Sequence, residues 1–187
     1  MKKLLVSSFL VFLIFGFVFA EEKYEITEVD IFGLKKFITS ESITVRGISV
    51  TNTLSEMMQI LGKTDADLEK KDKYLWLNVE PGFKIRTKGK NKKKAQVEAI
   101  VLYKEFKENL PGKVAHFFDF ESTSDMVLHL TGCLGKPDNV DEVHFAGVEA
   151  DTIIYYNGFR FSRVYDREKL VVTMELTTLK ELMKINK

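Results

Sequence analysis

The five residues Leu61-Gly62-Lys63-Thr64-Asp65 return 73 positions later as Leu134-Gly135-Lys136-Pro137-Asp138. Self-similarity at a fixed spacing narrows the possible folds more than any single motif, because both copies must bury their apolar faces in the same way. Each copy follows a short helical pattern. In the first, Thr53 and Glu56 have the spacing of a reciprocal capping box, and Leu54, Met57, Met58 and Leu61 form one apolar stripe. Gly62 can take the left-handed conformation that stops a helix. In the second, Ser122 or Ser124 serves as cap and Val127, Leu130, Cys133 and Leu134 as stripe. Gly135 then stops the helix and Pro137 bars its resumption.

Strand patterns follow both helices. The second set runs over 151–156, 159–165 and 170–176, with Asn157-Gly158 as a hairpin turn and polar residues 166–169 as the next turn. The first set runs over 73–79, 83–87 and 94–103, with Glu80-Pro81-Gly82 as its turn and a basic loop before the last strand. A further strand is expected ahead of each helix, at 43–50 and 116–120. The acids Asp65, Asp67, Glu69 and Asp72, and their counterparts Asp138, Asp141 and Glu142, are assigned to loops. The expected class is therefore α+β, built as two tandem repeats over 43–103 and 116–176. Each is a short helix packed on an antiparallel β-meander. Residues 21–42 form an N-terminal extension, 104–115 a connector with Pro111-Gly112, and 177–187 a short amphipathic helix.

Hairpin register decides which side chains face the helix. A two-residue turn at Asn157-Gly158 pairs Tyr156 with Phe159 and Ile154 with Phe161. It places Ile153, Tyr155, Arg160 and Ser162 on the opposite face. In the first repeat a two-residue turn would mix Leu77 with Arg86. A three-residue loop pairs Val79 with Phe83 and Leu77 with Ile85, leaving Tyr74, Trp76, Lys84 and Arg86 on the open face. Both repeats thus set aromatic and basic residues away from the helix, and such residues dominate protein-binding hot spots. Tyr74, Trp76, Arg86, Tyr155 and Arg160 are the candidate contact residues. The alternative is that the sheets themselves, or segment 24–37, cover this face.

The N-terminus carries an address. Met1-Lys2-Lys3, an apolar stretch from Leu4 to Phe19, a small residue at Ala20 and then Glu21-Glu22-Lys23 have the three-part layout of a secretory signal. The apolar run is short for a membrane span, although a retained anchor is the alternative. Residues 1–20 are read as a signal peptide cleaved near Ala20, giving an exported protein, periplasmic or extracellular. Loss of Lys2 and Lys3 turns the formal charge of +1 into about −1, which argues against a nucleic-acid binder. One cysteine excludes an internal disulfide or a four-cysteine zinc site.

No complete catalytic constellation is present. His129 and Cys133 share a helix face, which admits a nucleophilic pair or half a metal site but more simply a buried thiol beside a histidine. Asp65-Ala66-Asp67-Leu68-Glu69 alternates acids without the glycine or closing glutamate of a calcium loop. No Ser-centred elbow, Gly-rich phosphate loop or His-Glu-x-x-His pattern occurs. No enzyme activity, cofactor or metal is expected. The run Lys84, Arg86, Lys88, Lys90, Lys92, Lys93 and Lys94 contains no acid. Its lysines offer weak contact with an anionic surface, or simply keep a hairpin tip solvated.

A helix ending in Leu-Gly-Lys-Pro-Asp, followed by an antiparallel meander with an aromatic-rich hairpin, resembles the exported modules of the SmpA/OmlA outer-membrane-assembly lipoproteins. Two such copies in tandem resemble the β-lactamase inhibitor proteins. The resemblance covers residues 43–103 and 116–176. It implies a helix-backed sheet in each half and a concave sheet surface that engages another protein. The lipid-bearing cysteine of the first group and the disulfides of the second are missing here. The function expected is a non-enzymatic exported binding, assembly or inhibitor-like module whose partner is another envelope or secreted protein. A carrier of a lipid or aromatic ligand, and then an envelope hydrolase, are the alternatives.

Overall fold

A computed structural model of the chain describes residues 22–34, 38–71, 73–88, 95–145, 148–155, 157–166 and 169–178. The expected signal peptide, Tyr156, the lysines from Lys90 to Lys94 and nearly all of the expected C-terminal helix lie outside them. The chain runs β1 (Tyr24–Glu25), β2 (Ile43–Thr44), α1 (Leu54–Ile60), then strands β3 (Leu68–Lys71), β4 (Tyr74–Glu80), β5 (Phe83–Lys88) and β6 (Gln96–Tyr103). After α2 (Gly112–Phe117) and α3 (Thr123–Leu134) come β7 (Asn139–Phe145), β8 (Val148–Tyr155), β9 (Phe159–Asp166) and β10 (Lys169–Thr177). The protein is thus α+β, with few helices on a large antiparallel sheet. Its eight strands lie in the order β3-β4-β5-β6-β10-β9-β8-β7, so the two expected halves meet in one continuous sheet at β6 and β10.

The helices form for the reasons visible in their termini. Thr53 Oγ1 accepts from the Glu56 amide, and the Glu56 carboxylate accepts from the Thr53 amide, at 3.3 and 2.8 Å. At the other end Gly62 has φ +63°, and the Lys63 amide reaches back to the Met58 carbonyl at 2.8 Å. That 6→1 bond, with Gly62 bonded to Gln59, is the Schellman closure. A Thr53→Ala chain should lose about 1 kcal/mol of unfolding free energy in urea titration; an unchanged midpoint would show that α1 is held by packing alone. In α3 Ser122 supplies the cap, accepting from the Asp125 amide, and Gly135 ends the helix at φ +89°.

The core lies between these helices and one sheet face. Leu54 and Met57 of α1, Val114 and Phe117 of α2, and Met126 and Leu130 of α3 join Leu77, Ile85, Ile153 and Phe161 of the sheet in one apolar cluster. Phe83, Phe106, Phe117, Phe118, Phe159 and Phe161 are all fully buried there, each contributing about 1.5–3 kcal/mol. The N-terminal extension belongs to this core. Ile26, Ile31 and Phe32 are buried in it, with the Phe32 ring 5.9 Å from that of Phe161. The described part of segment 24–37 therefore packs on the helix side and does not cover the open face. One ion pair shares that side: Arg163 donates to the Asp151 carboxylate at 3.2 Å and to the Glu121 carbonyl at 2.7 Å. Thr123 also bonds Asp151, tying the start of α3 to β8 and β9.

Several expectations are corrected. Residues 116–120 are not a strand: α2 occupies Gly112–Phe117, and buried Val114, Phe117 and Phe118 show the i, i+3, i+4 spacing of a helix. The connector 104–115 carries the 3₁₀ turn Lys104–Asn109, which buries Phe106, and the start of α2. The strand expected at 43–50 shrinks to β2. There a turn at Arg46-Gly47 intervenes, its two amides held by the Glu25 carboxylate at 2.9 and 3.0 Å. Thr177 belongs to β10 and not to a terminal helix. The two acidic loops contain strands, because β3 and β7 are the sheet edges. An edge strand tolerates the charges of Leu68-Glu69-Lys70-Lys71 and Asn139-Val140-Asp141-Glu142.

Register is corrected in both hairpins. Tyr155, not Tyr156, pairs with Phe159, so Ile153 faces Phe161 across the strands and Ile154 faces Arg160. The one-residue slip turns Tyr155 inward, where it is 3% exposed and donates its hydroxyl to the Gly135 carbonyl at 2.9 Å. In the first hairpin Leu77 pairs with Ile85 as expected, but Glu80 and not Val79 pairs with Phe83, with a bulge at Val79 absorbing the extra residue.

Candidate functional site

The face of the sheet away from the helices gathers Tyr74 and Trp76 from β4, Lys84 and Arg86 from β5, Glu98 from β6, Glu175 from β10 and Arg160 from β9. Strand alternation puts most of them there: Leu77, Ile85, Leu176 and Phe159 point into the core, so the intervening residues point out, while a bulge in β6 between core residues Val97 and Ile100 brings Glu98 to the same face. Trp76 and Arg86 are directly paired, as are Glu175 and Arg160.

Arg86 is the hub. It donates to both oxygens of Glu175, at 3.0 and 2.9 Å, and through Nε to Glu98 at 3.1 Å. Its guanidinium also lies 5.5 Å from the Trp76 ring centre and 5.6 Å from that of Tyr74. Between Arg86 and Glu175 lie Ala99 and Val101 of β6, which are 0% and 1% exposed yet stand outside the core cluster. Their small side chains leave room for the ion pair to cross above them and seal them. Burial alone would lower the Arg86 pKa, but the bonds to Glu175 and the charges of Glu175 and Glu98 more than reverse this, so the guanidinium holds its proton more tightly than free arginine. Burial, aided by the charge of Glu175, raises the Tyr103 hydroxyl beside this network. Arg160 approaches Glu175 at 4.0 Å, and its buried Nε has no hydrogen-bond partner among the described residues.

Of the five candidate contact residues, the structure brings together Tyr74, Trp76, Arg86 and Arg160 and removes Tyr155 to the core. Arg86 already donates to two carboxylates and lies against both aromatic rings, while Tyr74, Trp76 and Arg160 keep partly exposed surface. Glu98 and Glu175 were absent from the sequence-based set. The signal was a glutamate inside each of two apolar strands, Gln96–Tyr103 and Lys169–Thr177, a placement that demands a cationic partner. Lys88 ends β5 and is exposed.

The His129 and Cys133 pair is not an activated nucleophile. Nε2 of His129 lies 3.1 Å from the Lys113 carbonyl, which can only accept, so Nε2 carries the hydrogen. The same nitrogen is the one 3.9 Å from Cys133 Sγ, and it has no lone pair free to deprotonate the thiol. Burial pushes the Cys133 thiol up and His129 down, the neighbouring His116 adding to the latter. His116, Phe120 and His129 instead stack edge to face where α2 meets α3, with ring centres 4.8–5.5 Å apart. Among the described residues, no group of three His, Cys, Asp or Glu is placed to hold a metal ion, and no helix is long and apolar enough to cross a membrane.

No family model matches the chain, and no curated protein or solved structure matches it.

Proposed function

We propose that this chain is an exported, non-enzymatic binding protein that engages another envelope or secreted protein through the helix-free face of its sheet. Tyr74, Trp76 and Arg160 make the contact, and Arg86 fixes the two rings in place. The observation that carries this reading is the pair of half-buried aromatic rings packed on an internally neutralised arginine, on a face that none of the described helices covers. Aromatics held rigid before binding lose little conformational entropy on contact, which is how a few residues dominate an interface.

The proposal includes a tandem origin for the sheet. The order helix, four strands occurs as α1 with β3–β6 and again as α3 with β7–β10, and the last strands of the two sets lie side by side. This layout is what the resemblance to the SmpA/OmlA modules and the β-lactamase inhibitor proteins implies, and it supports the inhibitor-like or assembly reading. The carrier alternative gains no such support, since large phenylalanine side chains occupy the space between helices and sheet.

Cross-linked capture from an envelope extract of the producing cells tests the reading. A Tyr74→Ala, Trp76→Ala chain should recover its partner at least ~10-fold less efficiently than the natural chain, the range expected of hot-spot truncation, with an unchanged unfolding midpoint. Equal recovery would remove this face from the interface.

A further inference from the structure

Strand β10 pairs with β9 from Lys169 to Leu176, but with β6 only from Thr173 to Thr177. β6 ends at Tyr103, where its chain turns away into the 3₁₀ segment Lys104–Asn109. Residues 169–172 therefore lie beyond the paired part of β6, along a cleft of about 430 Å³. Gly82 and Lys84 form its far wall, Tyr103, Lys104 and Glu105 close one end, and Lys169 begins the near wall.

Strand geometry turns the N–H and C=O of two of those four β10 residues into the cleft, across a length of about 13 Å. The cleft is also positively charged: Lys84, Lys104 and Lys169 surround it against the single carboxylate of Glu105. Among the described residues, none of these three lysines forms an ion pair. Lys84, Tyr103 and Lys169 all stand on the helix-free side: Lys84 pairs with Val101 and Tyr103 with Thr173, and Lys169 and Thr173 share the alternate positions of β10 with Glu175.

We propose that this cleft receives an extended acidic segment of a partner protein as an added strand beside β10. The backbone edge supplies the pairing, and the lysines select glutamate or aspartate at alternate positions of the guest, since every second side chain points to the helix-free side. A free anion would satisfy the ammonium groups but leave the strand's N–H and C=O groups unmatched, which favours a peptide. The proposal rests on the reading that this protein binds another protein, but not on the aromatic face being the contact.

The probe is a fluorescein-labelled seven-residue peptide with glutamate at every second position and threonine or valine between, titrated into the whole chain by anisotropy. Binding is expected to weaken at least ~10-fold in a Lys104→Glu, Lys169→Glu chain, and equally when the peptide backbone is N-methylated at alternate residues. It should survive Trp76→Ala. Amides of residues 169–172 should exchange more slowly with peptide bound, a readout on the natural chain that does not depend on the variant folding. Absence of binding, undiminished binding of the N-methylated peptide, loss of binding in Trp76→Ala, or complete displacement by inorganic phosphate at equal charge would each overturn the proposal. A failed capture experiment with the aromatic variant would leave these results standing.

Discussion

A Gly158→Ala chain is expected to unfold about 3 kcal/mol more readily than the natural chain. Gly158 has φ +100°, where an alanine side chain meets its own backbone at a cost of about 1–2 kcal/mol. Its surroundings add to this. A Cβ there would overlap Ser40 Oγ and lie 2.6 Å from Ser40 Cβ and 2.8 Å from the Thr177 carbonyl oxygen, and the last of these is backbone that cannot swing aside. Ser40 is itself buried, donating to that same carbonyl at 2.5 Å, and its amide donates to the Asn157 carbonyl at 2.8 Å. The substitution thus attacks the joint that fastens residues 38–42 to the β9 hairpin, where a lost buried hydrogen bond contributes about 1 kcal/mol. Denaturant unfolding measures the total, and a fall of roughly 6–12 °C in melting temperature should accompany it. Combining the change with Ser40→Gly should recover part of the loss, because only the side-chain overlap is relieved. A Gly158→Ala chain as stable as the natural one would mean that this hairpin relaxes freely and that the joint does not matter.

That joint also shows how far the sequence could be read. Asn157-Gly158 announces a hairpin, and a hairpin is there. Its two-residue form does not follow, because residues 38–42 dock on the turn and Tyr155 pairs directly with Phe159. A slip of one residue exchanges faces, so Tyr155 moved from proposed contact residue to core while Arg160, on the other strand, kept its place. The Val79 bulge left the face of Tyr74 and Trp76 unchanged for the opposite reason: it lies beyond Leu77, towards the turn, and the pairs on the near side keep their phase. The capping box at Thr53 was fully legible, since each of its bonds joins residues three apart. Edge strands β3 and β7 were not, because their charges signal solvent, and a strand with a single neighbour, here the next strand in sequence, need not show a buried face in its pattern.

The electrostatic seam was legible only in pieces. Arg86 stands out as a charge among alternating residues, but its partners come from β6 and β10, and Glu175 lies 89 residues away. Only the meeting of β6 with β10 brings them together. The same junction makes one sheet of the two expected halves, seats the ion pair over Ala99 and Val101, and leaves the first four residues of β10 without a strand partner on one side among the described residues. A single topological choice therefore creates both the ordered aromatic face and the basic cleft next to it.

An Arg86→Met chain should test that seam most directly. Methionine keeps much of the length and none of the charge, so it leaves Glu175 and Glu98, with side chains 10% and 16% exposed, facing each other with only Arg160, 4.0 Å from Glu175, as a nearby cation. Removing one partner of a buried pair destabilises by about 3–5 kcal/mol, and the residual exposure of these groups places the expected loss near ~3 kcal/mol. The loss should depend on pH with a definite sign. In the variant the folded state favours protonated carboxylates more than the unfolded state does, so it binds more protons and its stability falls as pH rises. The deficit relative to the natural chain is therefore largest at neutral pH and shrinks towards pH 4. Replacing Glu175 by glutamine in the same chain should recover part of the loss, because it relieves the repulsion between the two carboxylates while Glu98 still lacks its cation. Trp76 is the only tryptophan, so its emission reports this site alone. Loss of the cation from its face should shift the emission to the red and raise its quenching by acrylamide. Unchanged emission together with a stability deficit that is flat in pH would show that Arg86 neither orders the aromatic rings nor neutralises the seam. The division of labour between a structural arginine and contacting aromatics would then be wrong.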